Sequence, residues 1–168
     1  MGNKIIKKEM SLEDFKTTLL KMKKNPKIKV IKLLGGEPTL HSKFKEIIKL
    51  SLKEFKHIEL FTNGFFSKKI HLLIKKNLFQ IKCIFNISTP GFQNNEKLRN
   101  IIVNRIKEFG AVNKVTLSIT INPNIPIGLD TIVMEDVLRY VGIIRISISN
   151  FNFSENPNYS FADFKNVS

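Results

Sequence analysis

Ile81-Lys82-Cys83-Ile84-Phe85-Asn86-Ile87-Ser88, and further on Val115-Thr116-Leu117-Ser118-Ile119-Thr120-Ile121-Asn122, are the two stretches whose reading decides the fold. Successive side chains of a strand point to opposite faces. Ile81, Cys83, Phe85 and Ile87 therefore share one face, with Ile84, Asn86 and Ser88 on the other. Val115, Leu117, Ile119 and Ile121 oppose Thr116, Ser118, Thr120 and Asn122 in the same way. At 143–149, Ile144, Ile146 and Ile148 oppose Arg145, Ser147 and Ser149. At 57–63, Ile58 and Leu60 oppose His57, Glu59, Phe61 and Asn63. A doubly wound sheet is covered by helices on both faces, and its strands read as nearly continuous apolar runs. These strands do not. The polar face is also unlike the branched, close-packed filling of a closed eight-stranded barrel. The alternation predicts a sheet curled into an open partial barrel, with helices outside and a wet or ligand-filled hollow.

Working outward, helix and strand signals alternate along the chain. A helix opens at Ser11, with Asp14 three residues on, and carries the stripe Leu12, Phe15, Leu19, Met22 up to Asn25-Pro26. A strand over 28–34 stops at Gly35-Gly36, and a helix follows over 42–55. A strand at 58–61 ends in Thr62-Asn63-Gly64, before a helix over 67–77. The strand at 81–88 ends at Pro90-Gly91, and Leu98, Ile101, Ile102, Ile106 and Phe109 mark a helix over 95–109. The strand at 115–121 runs into a loop, Asn122 to Pro126. Asp130 caps a helix carrying Met134, Val137, Leu138 and Val141, and a last strand covers 143–149. Strands joined through helices pair in parallel with right-handed crossovers. The expectation is an α/β fold with five parallel strands: a barrel domain over 1–150 and a polar, aromatic tail over 151–168. No internal repeat occurs.

Length and composition fit one globular domain, with 168 residues, 42% hydrophobic and 25% charged. A single cysteine, Cys83, excludes an intramolecular disulfide framework and any multi-cysteine metal site made by this chain alone. The Lys-rich start has no apolar signal-peptide core, and no apolar run reaches the roughly 18 residues of a membrane span. A reducing cytoplasm is the expected compartment. The net charge of +14 makes nucleic acid or another polyanion a candidate partner. Most of the excess is Lys spread along helices, and only Arg99, Arg105, Arg139 and Arg145 offer the planar fork that phosphate and base recognition favours. A general Lys-rich bias is the preferred explanation.

Gly35-Gly36-Glu37-Pro38 stands at the C-terminal end of a strand, where open parallel sheets bind ligands. Glycines let a ligand approach the main chain closely, and Glu37 is an acceptor suited to an ammonium group. A plain β-to-α turn is the alternative for that segment. Asn63-Gly64 reads equally as a tight turn and as a site. Arg145, inward on the last strand, suits a substrate carboxylate, against the alternative of an ion pair with inward Glu59. His41, His57 and His71 lack metal-ligand spacing and read as surface or capping residues. No Gly-x-Ser-x-Gly, Walker loop or Gly-x-Gly-x-x-Gly is present.

Gly35-Gly36-Glu37-Pro38, the lead-in Glu9-Met10-Ser11-Leu12-Glu13-Asp14-Phe15 and Thr62-Asn63-Gly64 together resemble the radical S-adenosylmethionine superfamily over nearly the whole chain. The resemblance implies a partial (β/α)6 barrel and S-adenosylmethionine as cofactor. Gly35, Gly36 and Glu37, followed by Pro38, would bind the amino group through backbone oxygens and the carboxylate. Ser88 or Asn86 would touch the ribose, Asn122 the ribose or carboxylate, and Gly142-Ile143-Ile144-Arg145 resembles the strand near the adenine. The family also implies a 4Fe–4S cluster on three close cysteines, whose thiolates this chain lacks, so no metal ligand and no catalytic residue is assigned. By that comparison the chain starts partway through the family's first βα unit, without the first strand. A fragment is the expected explanation, and a pseudoenzyme that keeps the barrel for binding is the other. An uncovered first edge suits self-association. The implied function is a radical core domain that binds S-adenosylmethionine and is inactive without the cluster loop, acting on a substrate that no motif names. The alternative is a basic α/β module for nucleic acid or another polyanion, and no membrane partner is expected.

Overall fold

The computed structural model describes residues 9–88, 95–121 and 136–148. The expectations for Pro90-Gly91, for Asn122 and the loop to Pro126, for Asp130 and Met134, and for the tail after residue 150 lie outside them.

The elements follow in the order α1 (Leu12–Lys23), β1 (Val30–Leu33), a 3-10 turn (Pro38–Leu40), α2 (Phe44–Glu54), β2 (His57–Thr62), α3 (Lys68–Lys76), β3 (Ile81–Asn86), α4 (Glu96–Val112), β4 (Val115–Ile121) and β5 (Val141–Ile148). The five strands form one sheet in chain order, β1-β2-β3-β4-β5, and every pairing is parallel. Helix starts follow from local chemistry. The Ser11 hydroxyl accepts the Asp14 N–H at 3.0 Å and donates to its carboxylate at 2.6 Å. Ser67 and Asn95 cap α3 and α4 by accepting N–H groups three residues on, as short polar side chains do at helix N-termini.

Several boundaries differ from the periodicity, each for a visible reason. The strand expected from Ile28 begins at Val30, because Asn25 turns the chain first: its side chain accepts the Lys27 N–H and its carbonyl the Ile28 N–H. Ser42 does not open the second helix, since its N–H and hydroxyl both donate to the Glu9 carboxylate, and α2 starts at Phe44. The strand expected to reach Ser88 leaves the ladder after Asn86, whose side chain accepts the Ser88 N–H at 3.1 Å. Val141 belongs to β5 rather than to the preceding helix, which Tyr140 closes by donating to the Val137 carbonyl.

The core lies between the helices and one face of the sheet. Ile31 and Leu33, Ile58 and Leu60, Ile81, Cys83 and Phe85, Val115, Leu117 and Ile119 are buried there with Leu19, Phe44, Ile48, Ile74, Ile106 and Phe109 from the helices. The opposite face carries Lys32, Glu59, Phe61, Ile84, Asn86, Thr116, Ser118, Thr120, Arg145 and Ser147. Thr116 and Ser118, on β4 between β3 and β5, are only 4% and 8% exposed, as the floor of a hollow should be. Arg145 on β5 lies with its guanidinium carbon 5.5 Å from the Phe61 ring centroid on β2. In a flat sheet those strands would stand about 14 Å apart. They meet because the sheet curls toward this face and the long side chain lies across it. The curled, helix-jacketed partial barrel expected from the alternation is the observed fold.

Candidate functional site at the mouth of the hollow

The C-terminal end of β1 delivers the chain into Gly35-Gly36-Glu37-Pro38, and the 3-10 turn begins at Pro38. Proline suits that first position, where its missing N–H would have no partner. A Cβ built on Gly35 or on Gly36 would meet no atom within 4 Å, so their main chain faces open space. Neither glycine has a positive φ, and among the described residues only Gly64 does, at 78°. The diglycine does not use the left-handed backbone that glycine allows. Room beside the main chain, rather than strain within it, is what Gly35 and Gly36 provide.

Glu37 ties this turn to the next strand. Its Oε1 accepts from the Thr39 N–H at 3.2 Å, the Thr39 hydroxyl at 2.6 Å and the Thr62 hydroxyl at 2.9 Å. Its Oε2 accepts from the Asn63 N–H at 2.7 Å. Oε1 thus serves three donors, while Oε2 has one and keeps acceptor capacity for another. Thr62 also accepts the Gly64 N–H at 3.1 Å, and Asn63 Oδ1 accepts the Phe65 N–H at 2.8 Å. From the far side, Arg105 on α4 donates to the Gly64 and Phe66 carbonyls and stacks over the Phe66 ring at 4.2 Å. Burial works against its charge. The Gly-Gly-Glu-Pro and Thr-Asn-Gly segments are thus one hydrogen-bonded unit.

Behind that unit, the lead-in docks on the start of α2. The Ser42 hydroxyl donates to the Glu9 carboxylate at 2.6 Å and holds it below its usual range. His41 Nδ1 accepts the Lys43 N–H at 3.0 Å, so Nε2 carries the hydrogen directed to the Met10 carbonyl at 2.9 Å. This matches the capping role expected of His41. His71 pairs with Glu108 at 3.0 Å on the outer, helical layer, and His57 is exposed at the start of β2.

Farther along the mouth, Asn86 and Ser88 close β3 with their side chains. Ser88 Oγ accepts the Thr120 N–H, replacing a ladder bond between β3 and β4. Arg145 shares a register row with Ser118 and Asn86. The ion pair between Arg145 and Glu59 does not form: Glu59 lies in a lower row and pairs with Lys32 at 3.2 Å, while Arg145 stacks on Phe61. Asn122 lies outside the described residues. Thr62 is the residue that periodicity overlooks. A threonine in phase with Ile58 and Leu60 on the apolar face of β2 was the available signal, since a buried hydroxyl has to find partners, and in the structure Thr62 is only 3% exposed.

A family model described as the Radical SAM superfamily matches residues 2–108. The chain belongs to the radical S-adenosylmethionine superfamily. Among solved structures, Streptococcus suis SuiB bound to S-adenosylmethionine superposes with a TM-score of 0.67 at 17% identity, covering 97% of this chain and 40% of SuiB. SuiB bound to precursor peptide SuiA gives 0.68 at 17% identity, over 98% and 39% of the two chains. TYW1 with a lysine–pyruvate adduct bound gives 0.54 at 16% identity, over 87% and 56%. These likenesses are of fold, and this radical S-adenosylmethionine chain spans roughly two fifths to just over half of those proteins. No curated protein matches it.

The family's 4Fe–4S cluster does not fit the residues of this radical S-adenosylmethionine chain. Such clusters are held by cysteine thiolates. Cys83, the single cysteine, sits buried on the core face of β3, and desolvation pushes its thiol up to about 12. Among the described residues, no group of three His, Cys, Asp or Glu side chains could hold a metal ion.

Proposed function

We propose that this chain forms an S-adenosylmethionine-binding wall of a radical S-adenosylmethionine protein. The observation that carries the reading is the open diglycine turn at the mouth of the hollow, pinned to β2 by Glu37, in a chain of this family. Main-chain oxygens of Gly35 and Gly36 receive the ammonium group, with the free acceptor position of Glu37 Oε2 beside them and Pro38 ending the turn. Asn63 borders this pocket. Asn86 or Ser88 meets the ribose, and Asn122 is assigned to the ribose or carboxylate. When bound, S-adenosylmethionine supplies the radical chemistry of the family. The protein's part is to fix its orientation and keep water from it. A similar fold holding S-adenosylmethionine in SuiB supports the reading. With one buried thiol and no cluster ligands of its own, the chain by itself binds without reacting. Among the described residues no helix is long and apolar enough to cross a membrane, and the reading includes a cytoplasmic setting.

Calorimetry with S-adenosylmethionine tests it. Saturable binding is expected, and Gly36→Leu should weaken it at least about tenfold, or 1.4 kcal/mol. A Cβ at Gly36 meets no atom within 4 Å, and an unchanged melting temperature for Gly36→Leu is the check that the loss is of binding and not of folding. No binding by the native chain, or equal binding by Gly36→Leu, would overturn the reading. Anaerobic iron–sulfide reconstitution followed by chromatography should yield no 5′-deoxyadenosine from these 168 residues.

A further inference from the structure

The inward register of the sheet is electrostatically unbalanced. Among the described strands, its Lys, Arg, Asp and Glu side chains are Lys32, Glu59, Lys82 and Arg145, three cations to one anion. That anion is used at the lower end, where Glu59 pairs with Lys32 at 3.2 Å. Among the described residues, Arg145 has no carboxylate partner. It stands in the upper row with Ser118 and Asn86, toward the mouth where the diglycine turn lies. Stacking on Phe61 at 5.5 Å fixes the guanidinium without consuming its N–H donors. A planar fork held on a ring, with its edge open, is suited to two parallel bonds to a carboxylate or phosphate.

We propose that Arg145, held over Phe61, is the docking point for an anionic group, carboxylate or phosphate, of the substrate. This rests on the reading of the hollow as the reaction chamber. The charge excess of the wall draws the anion in, and the Phe61 ring beneath the guanidinium fixes where it is received. Asn86, in the same row, places its amide where a second donor can reach a ligand lying across the floor.

The test follows the Arg145 side-chain N–H signal of the 15N-labelled chain by NMR during titration with succinate and, separately, with inorganic phosphate. The native chain should give a saturable shift, and the better of the two probes identifies the anion class. Arg145→Gln should weaken that probe at least about tenfold, and Arg145→Lys about threefold, since an ammonium keeps the charge and loses the fork. Lys69→Gln, on the outer layer, should change nothing. Absence of a saturable shift, or equal affinity in Arg145→Gln, overturns the proposal. Calorimetry with S-adenosylmethionine is the second arm. If Arg145→Gln weakens S-adenosylmethionine as much as the probe, and the probe competes with it, the anion is the cofactor's own carboxylate and the substrate assignment fails. Failure of the native chain to bind S-adenosylmethionine, with the Arg145 shift intact, sinks the proposed function and supports the anion site.

Discussion

Glu37 does at residue scale what its motif alone does not reveal. Its carboxylate gathers the Thr39 N–H and hydroxyl, the Thr62 hydroxyl and the Asn63 N–H, so it locks the shape of the turn that Gly35 and Gly36 leave open. Removing one partner of a hydrogen bond to a charged group costs about 1.5–3 kcal/mol. Glu37→Gln and Thr62→Val are each expected to lose stability of that order in urea unfolding. Because they share a network, the double variant should fall short of the sum by at least about 0.5 kcal/mol. Additive losses would dissolve the network. Cys83 gives a prediction with a sign. Its thiol lies at about 12 in the fold against an ordinary 9.0, so the folded state keeps a proton that the unfolded state releases. That contribution to stability is complete below about pH 9 and is lost as pH rises toward 12. Unfolding measured from pH 8 to 11 should decline less steeply in Cys83→Ala than in the native chain.

Among the elements, α4 and its neighbours show how packing overrides propensity. Gly110 sits near the end of this helix, where a glycine costs about 1 kcal/mol relative to alanine. A Cβ there would stand 2.4 Å from the Tyr140 carbonyl oxygen, which accepts the Val115 N–H at the start of β4. Backbone cannot yield as a flexible side chain does, and overpacking of this kind costs about 1–3 kcal/mol. Gly110→Ala should therefore lower the melting temperature despite its better helix propensity, whereas Gly36→Ala, with open space around it, should leave it unchanged. A stabilised Gly110→Ala would show that the contact between α4 and the 137–140 turn is looser than described.

For the molecule as a whole, the sheet separates charge by layer. The excess of 14 positive charges is carried largely on outer helices, while the hollow has its own small cationic surplus. Outer lysines make non-specific adhesion to a polyanion an expected property of the surface. Mixed-sequence RNA should bind weakly at 50 mM salt and lose about a hundredfold or more in affinity by 200 mM, the mark of counterion release. Tight binding at 50 mM that weakens as steeply with salt would favour the polyanion reading over the cofactor reading, and salt-insensitive or absent binding removes it.

The alternation in 81–88 and 115–122 was enough, without coordinates, to decide curled against doubly wound, because side-chain direction in a strand is a local property of period two. Helix starts at Ser11, Ser67 and Asn95 were legible for the same reason, their caps being satisfied within three residues. The partners of Glu37, Arg145 and Ser42 were not legible. Thr62 lies 25 residues beyond Glu37, and Glu9 lies 33 before Ser42. Arg145 reaches Phe61 only because the sheet curls. Local chemistry determined which face of each strand is polar. The tertiary structure decided which polar groups satisfy one another and which remain open for a ligand, since that depends on distances set when distant segments close around the same hollow.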